Sequence, residues 1–175
     1  VGTFEGSVDF EPGAGEDIFE ALGYTDVFLT VYDADGQYLW TTTWGNGDYD
    51  YVFGVSVIDG KVFVTGRFYL STDFDPTSSE DIHLNLGSAS TYLTSYSTTG
   101  TYLWTKTWGG EGSSYITPSS ITAADGQVMI GGKFNQTIDF DPEITEVFIE
   151  PHGIYSDAWL SAFTTEGAYL WTKTW

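Results

Sequence analysis

Cysteine is absent from this sequence, so neither disulfide bracing nor thiol chemistry is open to it. Basic residues are nearly absent too. Lys61, Arg67, Lys106, Lys133 and Lys173 stand against 25 acidic residues, for a net charge of -20. Such a charge repels phosphate backbones and anionic bilayers, which argues against nucleic acid as a partner. No run of 18 apolar residues occurs, so a helical membrane span is excluded. No metal-hydrolase, phosphate-loop or serine-nucleophile motif is present either. The sequence opens on Val1 inside a repeat, and the expectation is a processed or excised segment of something longer.

What the chain does have is aromatic residues, at 18%, within a hydrophobic content of 41%. A chain of this length buries about 70% of its extended surface on folding, so a core is expected. The weight of aromatic and β-branched residues favours strands. Most informative is a segment written three times, Tyr-Leu-Trp-Thr-x-Thr-Trp, at Tyr38 to Trp44, Tyr102 to Trp108 and Tyr169 to Trp175. The first Trp of each copy, Trp40, Trp104 and Trp171, recurs at intervals of 64 and 67 residues. A fixed period of this size signals stacked units. A second landmark keeps the same order: Gly2-Thr3-Phe4, Gly66-Arg67-Phe68 and Gly132-Lys133-Phe134 each precede an Asp-Phe-acid-Pro run beginning at Asp9, Asp73 and Asp139. These landmarks divide the chain into a partial unit over 1–45, a second over 46–109 and a third over 110–175.

Alternation and turn residues place strands at Val27 to Asp33, Tyr38 to Trp44, Val52 to Ile58 and Lys61 to Tyr69, with Asp59-Gly60 as the tightest turn signal. Four such strands in meander order are expected to make one antiparallel blade, so that Val1 to Phe4 is the tail of a fourth strand and Trp175 ends a second. The acidic run and Asp81 to Leu86 form an excursion outside the blade, as a strand pair or a long loop. Its Pro suits an edge or a turn.

The run Gly54 to Gly66, followed by Asp73-Phe74-Asp75-Pro76 and then by a Leu-Trp strand ending in Trp-Gly, resembles the bacterial β-propeller repeat family. The resemblance covers nearly the whole chain. It implies an all-β fold of tandem four-stranded blades, partial or open within this chain, in a secreted or cell-surface bacterial protein. It carries no catalytic residues over. Units of 64 to 67 residues exceed the roughly 40 to 50 of common blades, and closed propellers use about four to eight of them.

Two sets of residues are candidates for function. Period two puts Tyr38, Trp40 and Trp44 on one strand face, and likewise Tyr102, Trp104 and Trp108, and Tyr169, Trp171 and Trp175. These rings serve either as packing between units or as a platform for sugars. Lys106 and Lys173 sit between two Trp each, where an ammonium can meet a ring face. The acidic motif supplies Asp9 and Glu11, Asp73 and Asp75, and Asp139 and Asp141, each pair spaced so that both carboxylates share a side. That is how a Ca²⁺ site begins. The alternative is that the first Asp caps a turn, the Phe anchors it and the Pro ends the strand. Asp33-Ala34-Asp35-Gly36 reads as a turn.

Polar residues that break the repeat are Asp48, Asp50, His83, Glu111 and His152. The leading expectation is a non-catalytic extracellular scaffold or adhesive module that contacts further repeats or other copies, up to a surface filament. A carbohydrate-binding module, Ca²⁺-assisted or not, is the second reading, and a hydrolase at a propeller mouth the third.

Overall fold

The computed structural model describes residues 1–143 and 146–175, and over them the chain is all-β, built of antiparallel sheets. Among the described residues no helix is long and apolar enough to cross a membrane.

The first sheet has three strands. β1 (Gly2–Phe4) lies at its edge, then comes a two-stranded ribbon of β2 (Ser7–Asp9) and β3 (Ile18–Glu20), and the chain returns as β4 (Asp26–Tyr32) beside β1 and β5 (Tyr38–Trp44) beside β4. The second sheet repeats this plan with one strand more. β6 (Tyr51–Ile58) and β7 (Lys61–Phe68) form a hairpin, β8 (Thr72–Asp73) and β9 (Ile82–His83) form the ribbon, and β10 (Ser90–Ser97) and β11 (Tyr102–Trp108) complete the sheet in the order β11-β10-β7-β6. In the third sheet β12 (Ile116–Ala124), β13 (Gln127–Phe134), β16 (Asp157–Thr164) and β17 (Tyr169–Thr174) follow the same order, with a ribbon of β14 (Ile138–Asp139) and β15 (Phe148–Ile149).

This grouping corrects the expected one. Val27 to Trp44 and Val52 to Tyr69 do not share a sheet: the first pair closes one sheet and the second opens the next. The hydrogen bonds that decide it run from β7 to β10 across the whole ribbon insertion, pairing Ser90 with Phe68 through to Ser97 with Lys61. β1 is accordingly the counterpart of the second strand, β7, and Trp175 follows the fourth-strand counterpart, β17.

The hairpin turns follow local chemistry. Asp59-Gly60 and Asp125-Gly126 both take positive φ, Asp59 at 51° and Asp125 at 52°, the left-handed pair that a two-residue hairpin requires. At the other hairpins a side chain at one place caps the turn. Asp33 Oδ1 accepts the amides of Asp35 and Gln37, Ser97 Oγ those of Thr99 and Thr101, and Thr164 Oγ1 those of Glu166 and Ala168. The Asp33 run is thus a turn whose acid is exchangeable for a hydroxyl.

Sheets pack face to face through two clusters. Val27, Leu29 and Trp44 of the first meet Val62, Val64, Tyr92 and Tyr96 of the second. Phe63, Leu93 and Trp108 of the second meet Val128, Ile130, Trp159 and Phe163 of the third. The second and third sheets come closest along their first strands, β6 and β12. Small side chains allow this approach. A Cβ on Gly54 would lie 2.9 Å from Ile121 Cγ2, and the Ala123 amide donates to Ser56 Oγ at 2.9 Å. Toward the outer strands the gap is filled by indole rings.

Candidate functional site

Those indoles belong to the thrice-written strand. Alternation places Trp40 and Trp44 on the face of the first sheet that looks at the second, and Trp104 and Trp108 on the face of the second that looks at the third. Trp44 and Trp108 are buried. Trp108 meets Trp159 edge-on at 6.1 Å and Phe163 at 5.2 Å. The other Trp of each copy covers a hairpin glycine in the following sheet. Trp40 lies over Gly100 and Trp104 over Gly167, each 3.1 Å from where a Cβ would stand, and Trp40 Nε1 donates to the Thr98 carbonyl at 3.1 Å. Tyr38 and Tyr102 turn inward to their own ribbons, where their hydroxyls donate to Asp17 and Asp81. Burial, with that carboxylate second, pushes the Tyr38 phenol up to about 12. The third copy differs. Tyr169 has Val147 where the others have an Asp, Trp171 is half-buried, and Trp175 is 66% exposed.

Among the described residues the lysines between the rings meet no ring face. Lys106 Nζ reaches Glu143 at 2.6 Å, on the ribbon of the following sheet, and Lys173 is exposed. Among the described residues the cation over aromatic faces is Arg67, the single arginine of the chain.

Arg67 is the centre of an aromatic ladder that breaks the repeat. Its guanidinium lies 5.2 Å from the Tyr51 ring centroid, 5.1 Å from Tyr69 and 5.9 Å from Phe53. Tyr51 stacks on Tyr49 at 6.2 Å and 6°, and Tyr49 on Tyr24 at 4.8 Å and 15°. Pairing explains the assembly: Tyr51 stands opposite Arg67 across β6 and β7, and a bridge from Thr25 to Tyr49 brings Tyr24 alongside. The same places in the third sheet hold Thr117, Lys133 and Asn135, which cannot stack. Tyr24, Tyr49 and Phe53 are exposed. Sequence reasoning missed this ladder because Tyr24 and Tyr49 sit in loops.

The acidic motif has a local task in every unit. Asp9 Oδ1 accepts the amides of Glu11 and Asp17, Asp73 Oδ1 those of Asp75 and Asp81, and Asp139 Oδ1 those of Asp141 and Val147. One carboxylate oxygen thus spans the loop that closes each ribbon. The second acid continues the turn, with Asp75 accepting from Thr77 and Asp141 from Glu143. Phe74 and Phe140 are fully buried and Phe10 half-buried. Among the described residues no group of three or more acids and histidines is gathered for a metal ion.

Of the repeat-breaking polar residues, Asp50 is the one the fold buries, at 1% exposure. It accepts the Asn46 amide at 2.9 Å and the Asn46 side chain at 3.0 Å, and Asn46 in turn donates to Thr72 Oγ1 at 2.7 Å. Burial, reinforced by Asp26 and Asp48, pushes the Asp50 carboxyl up to about 7 against its hydrogen bonds to Asn46. Asp26, also buried, moves the same way for the same first reason; its Oδ2 accepts the Leu22 amide. The next seam holds Ile116 and Ile138 in place of Asp50 and Thr72. His83 lies between Thr107 Oγ1 and Asp81, at 2.9 and 3.2 Å. His152 holds Asp157 at 2.8 Å and keeps that carboxyl below its ordinary range. Glu111 stands at the lip of a cleft of about 700 Å³ between Gly110 and Phe148. Among the described residues no hydrogen bond joins any two of Asp48, Asp50, His83, Glu111 and His152.

No family model matches the chain, and no curated protein matches it.

Proposed function

We propose that this chain is a non-catalytic scaffold of blade-like sheets, of β-propeller type, which acts by docking further repeats or other copies of itself at a bacterial cell surface. The observation that carries this reading is the repeated seam. Trp44 and Trp108 enter the following sheet at the same place, and Trp40 and Trp104 cap the same turn glycine. Trp175 presents that equipment to solvent, with Trp171 half-buried beside it. Convergence along β6 and β12, with indoles filling the outer gap, favours a fan of blades over a flat stack. A heterologous seam of this kind closes into a ring or propagates as a filament.

Sedimentation velocity across a concentration series tests the proposal. Association is expected, and Trp171→Ser with Trp175→Ser should weaken it. A monomer at every concentration, unchanged by the double substitution, removes the self-docking reading.

The ladder around Arg67 supports a second reading, a carbohydrate platform. Exposed Tyr faces suit pyranose rings, and the surrounding acidity favours neutral sugars over acidic ones. Glycan screening of the native chain against Tyr49→Ala decides it, and absence of binding at about 1 mM sugar would remove it.

A further inference from the structure

β6 carries an exposed apolar stripe, Phe53, Val55 and Val57, the last 58% exposed. Register shows what the stripe is for. Val55 stands opposite Val64, and Val57 opposite Val62, and both of those valines are buried against the first sheet. In the third sheet the corresponding residues are Ile121, opposite Ile130, and Ala123, opposite Val128. They are half-buried, because they pack on Gly54 and Ser56 of the first strand in the preceding sheet. Among the described residues the first sheet has no counterpart of that strand. Its second-strand counterpart is only Gly2–Phe4, so β4 pairs outward from Asp26 to Phe28, and Leu29 to Tyr32 have no partner on that edge among the described residues. A cleft of about 310 Å³ opens there between Val1 to Thr3 and Tyr51 to Gly54.

We infer that this slot is a binding site for one β-hairpin with the β6–β7 pattern, supplied by a repeat segment of the same kind. Its second strand adds antiparallel to β4, opposite Leu29 to Tyr32 as Val62 to Thr65 stand opposite Leu93 to Tyr96. Its first strand lies over Val55 and Val57 and offers them small residues, as Gly54 and Ser56 do for Ile121 and Ala123. The driving terms are an apolar stripe taken from water and a row of edge groups given partners. Specificity comes from the small residues, since a bulky side chain at the Gly54 place would collide with the stripe.

The inference deepens the repeat-scaffold reading and rests on its equivalence of sheets, but it concerns the face opposite Trp175. The probe is a synthetic hairpin with the sequence of residues 51–66, offered to the chain alongside a scrambled control. Binding should slow hydrogen exchange at Leu29 to Tyr32 and raise the melting temperature by several degrees. Val57→Asp, at an exposed position, should leave the free chain's melting temperature unchanged yet weaken hairpin binding by roughly tenfold or more, because the complex would bury an unpaired carboxylate. A fusion placing the same hairpin ahead of Val1 repeats the test without a soluble peptide: the native hairpin should stabilise the chain and the scrambled one should not. Equal effects of native and scrambled hairpins, or of wild type and Val57→Asp, overturn the inference. If that happens while the chain still associates through Trp171 and Trp175, the scaffold reading stands without the slot.

Discussion

Trp44 lies stacked on Tyr96, their ring centroids 5.7 Å apart and their planes 24° from parallel, although the two residues belong to different sheets. Tyr96 in turn donates its hydroxyl to the Phe74 carbonyl at 3.0 Å. A ring from one unit is therefore held by a residue that also ties down the next unit's acidic ribbon. Seam and ribbon are mechanically joined.

The seam rings should dominate stability. Trp108→Ala removes a buried indole from between Trp159 and Phe163 and should cost about 3–5 kcal/mol by chemical denaturation. Trp175→Ala, at an exposed position, should fall within about 0.5 kcal/mol of wild type. Comparable losses at the two positions would contradict the packing described.

Stability should depend on pH through Asp50. Its folded pKa is raised from 3.8 to about 7, so folding favours the protonated form. The stabilisation is complete below the unfolded value and is lost as pH rises through about 7. Asp26 shifts in the same direction. Melting temperature should therefore fall between mildly acidic and alkaline pH, and Asp50→Asn should flatten that fall. A slope of opposite sign in wild type, or one untouched by the substitution, would count against the buried carboxyl.

Asp73 should matter as an amide acceptor. Asp73→Ala strands two backbone amides at the ribbon and should destabilise by about 1–3 kcal/mol, while chelator should leave the wild-type melting curve unchanged. A drop in melting temperature on chelation, reversed by added Ca²⁺, would return these acids to metal binding.

Gly132→Ala should be severe, because its Cβ would stand 2.1 Å from the Thr117 carbonyl oxygen of the adjacent strand. The expected loss is about 1–3 kcal/mol or more, as in other overpacked sites. Gly126→Ala meets open space but sits at a φ of 74°, so its smaller loss comes from backbone strain. Equal melting temperatures for the two variants would be the wrong result.

Much of the fold could be read from spacing. Trp40, Trp104 and Trp171 mark the period, and Asp59-Gly60 marks a hairpin through two residues that accept positive φ. Both signals are local. Sheet membership is not local, since β7 reaches β10 over the ribbon and nothing within Lys61 to Phe68 states which neighbour it will choose. The same holds for the sites. Asp9, Asp73 and Asp139 were visible as a motif, and their alternative task as turn acceptors follows from adjacent residues. The ladder of Tyr24, Tyr49, Tyr51 and Arg67, and the cluster of Asp26, Asn46, Asp50 and Thr72, draw on three or four segments each. Only folding brings them into contact, so no window of sequence contains them.

Asp50 and Thr72 at one seam, against Ile116 and Ile138 at the other, make the two joints unequal in kind. The aspartate joint buries a carboxyl at that place, and the isoleucine joint buries only hydrocarbon there. The cost of losing the Asp50 proton therefore falls on the joint between the first and second sheets.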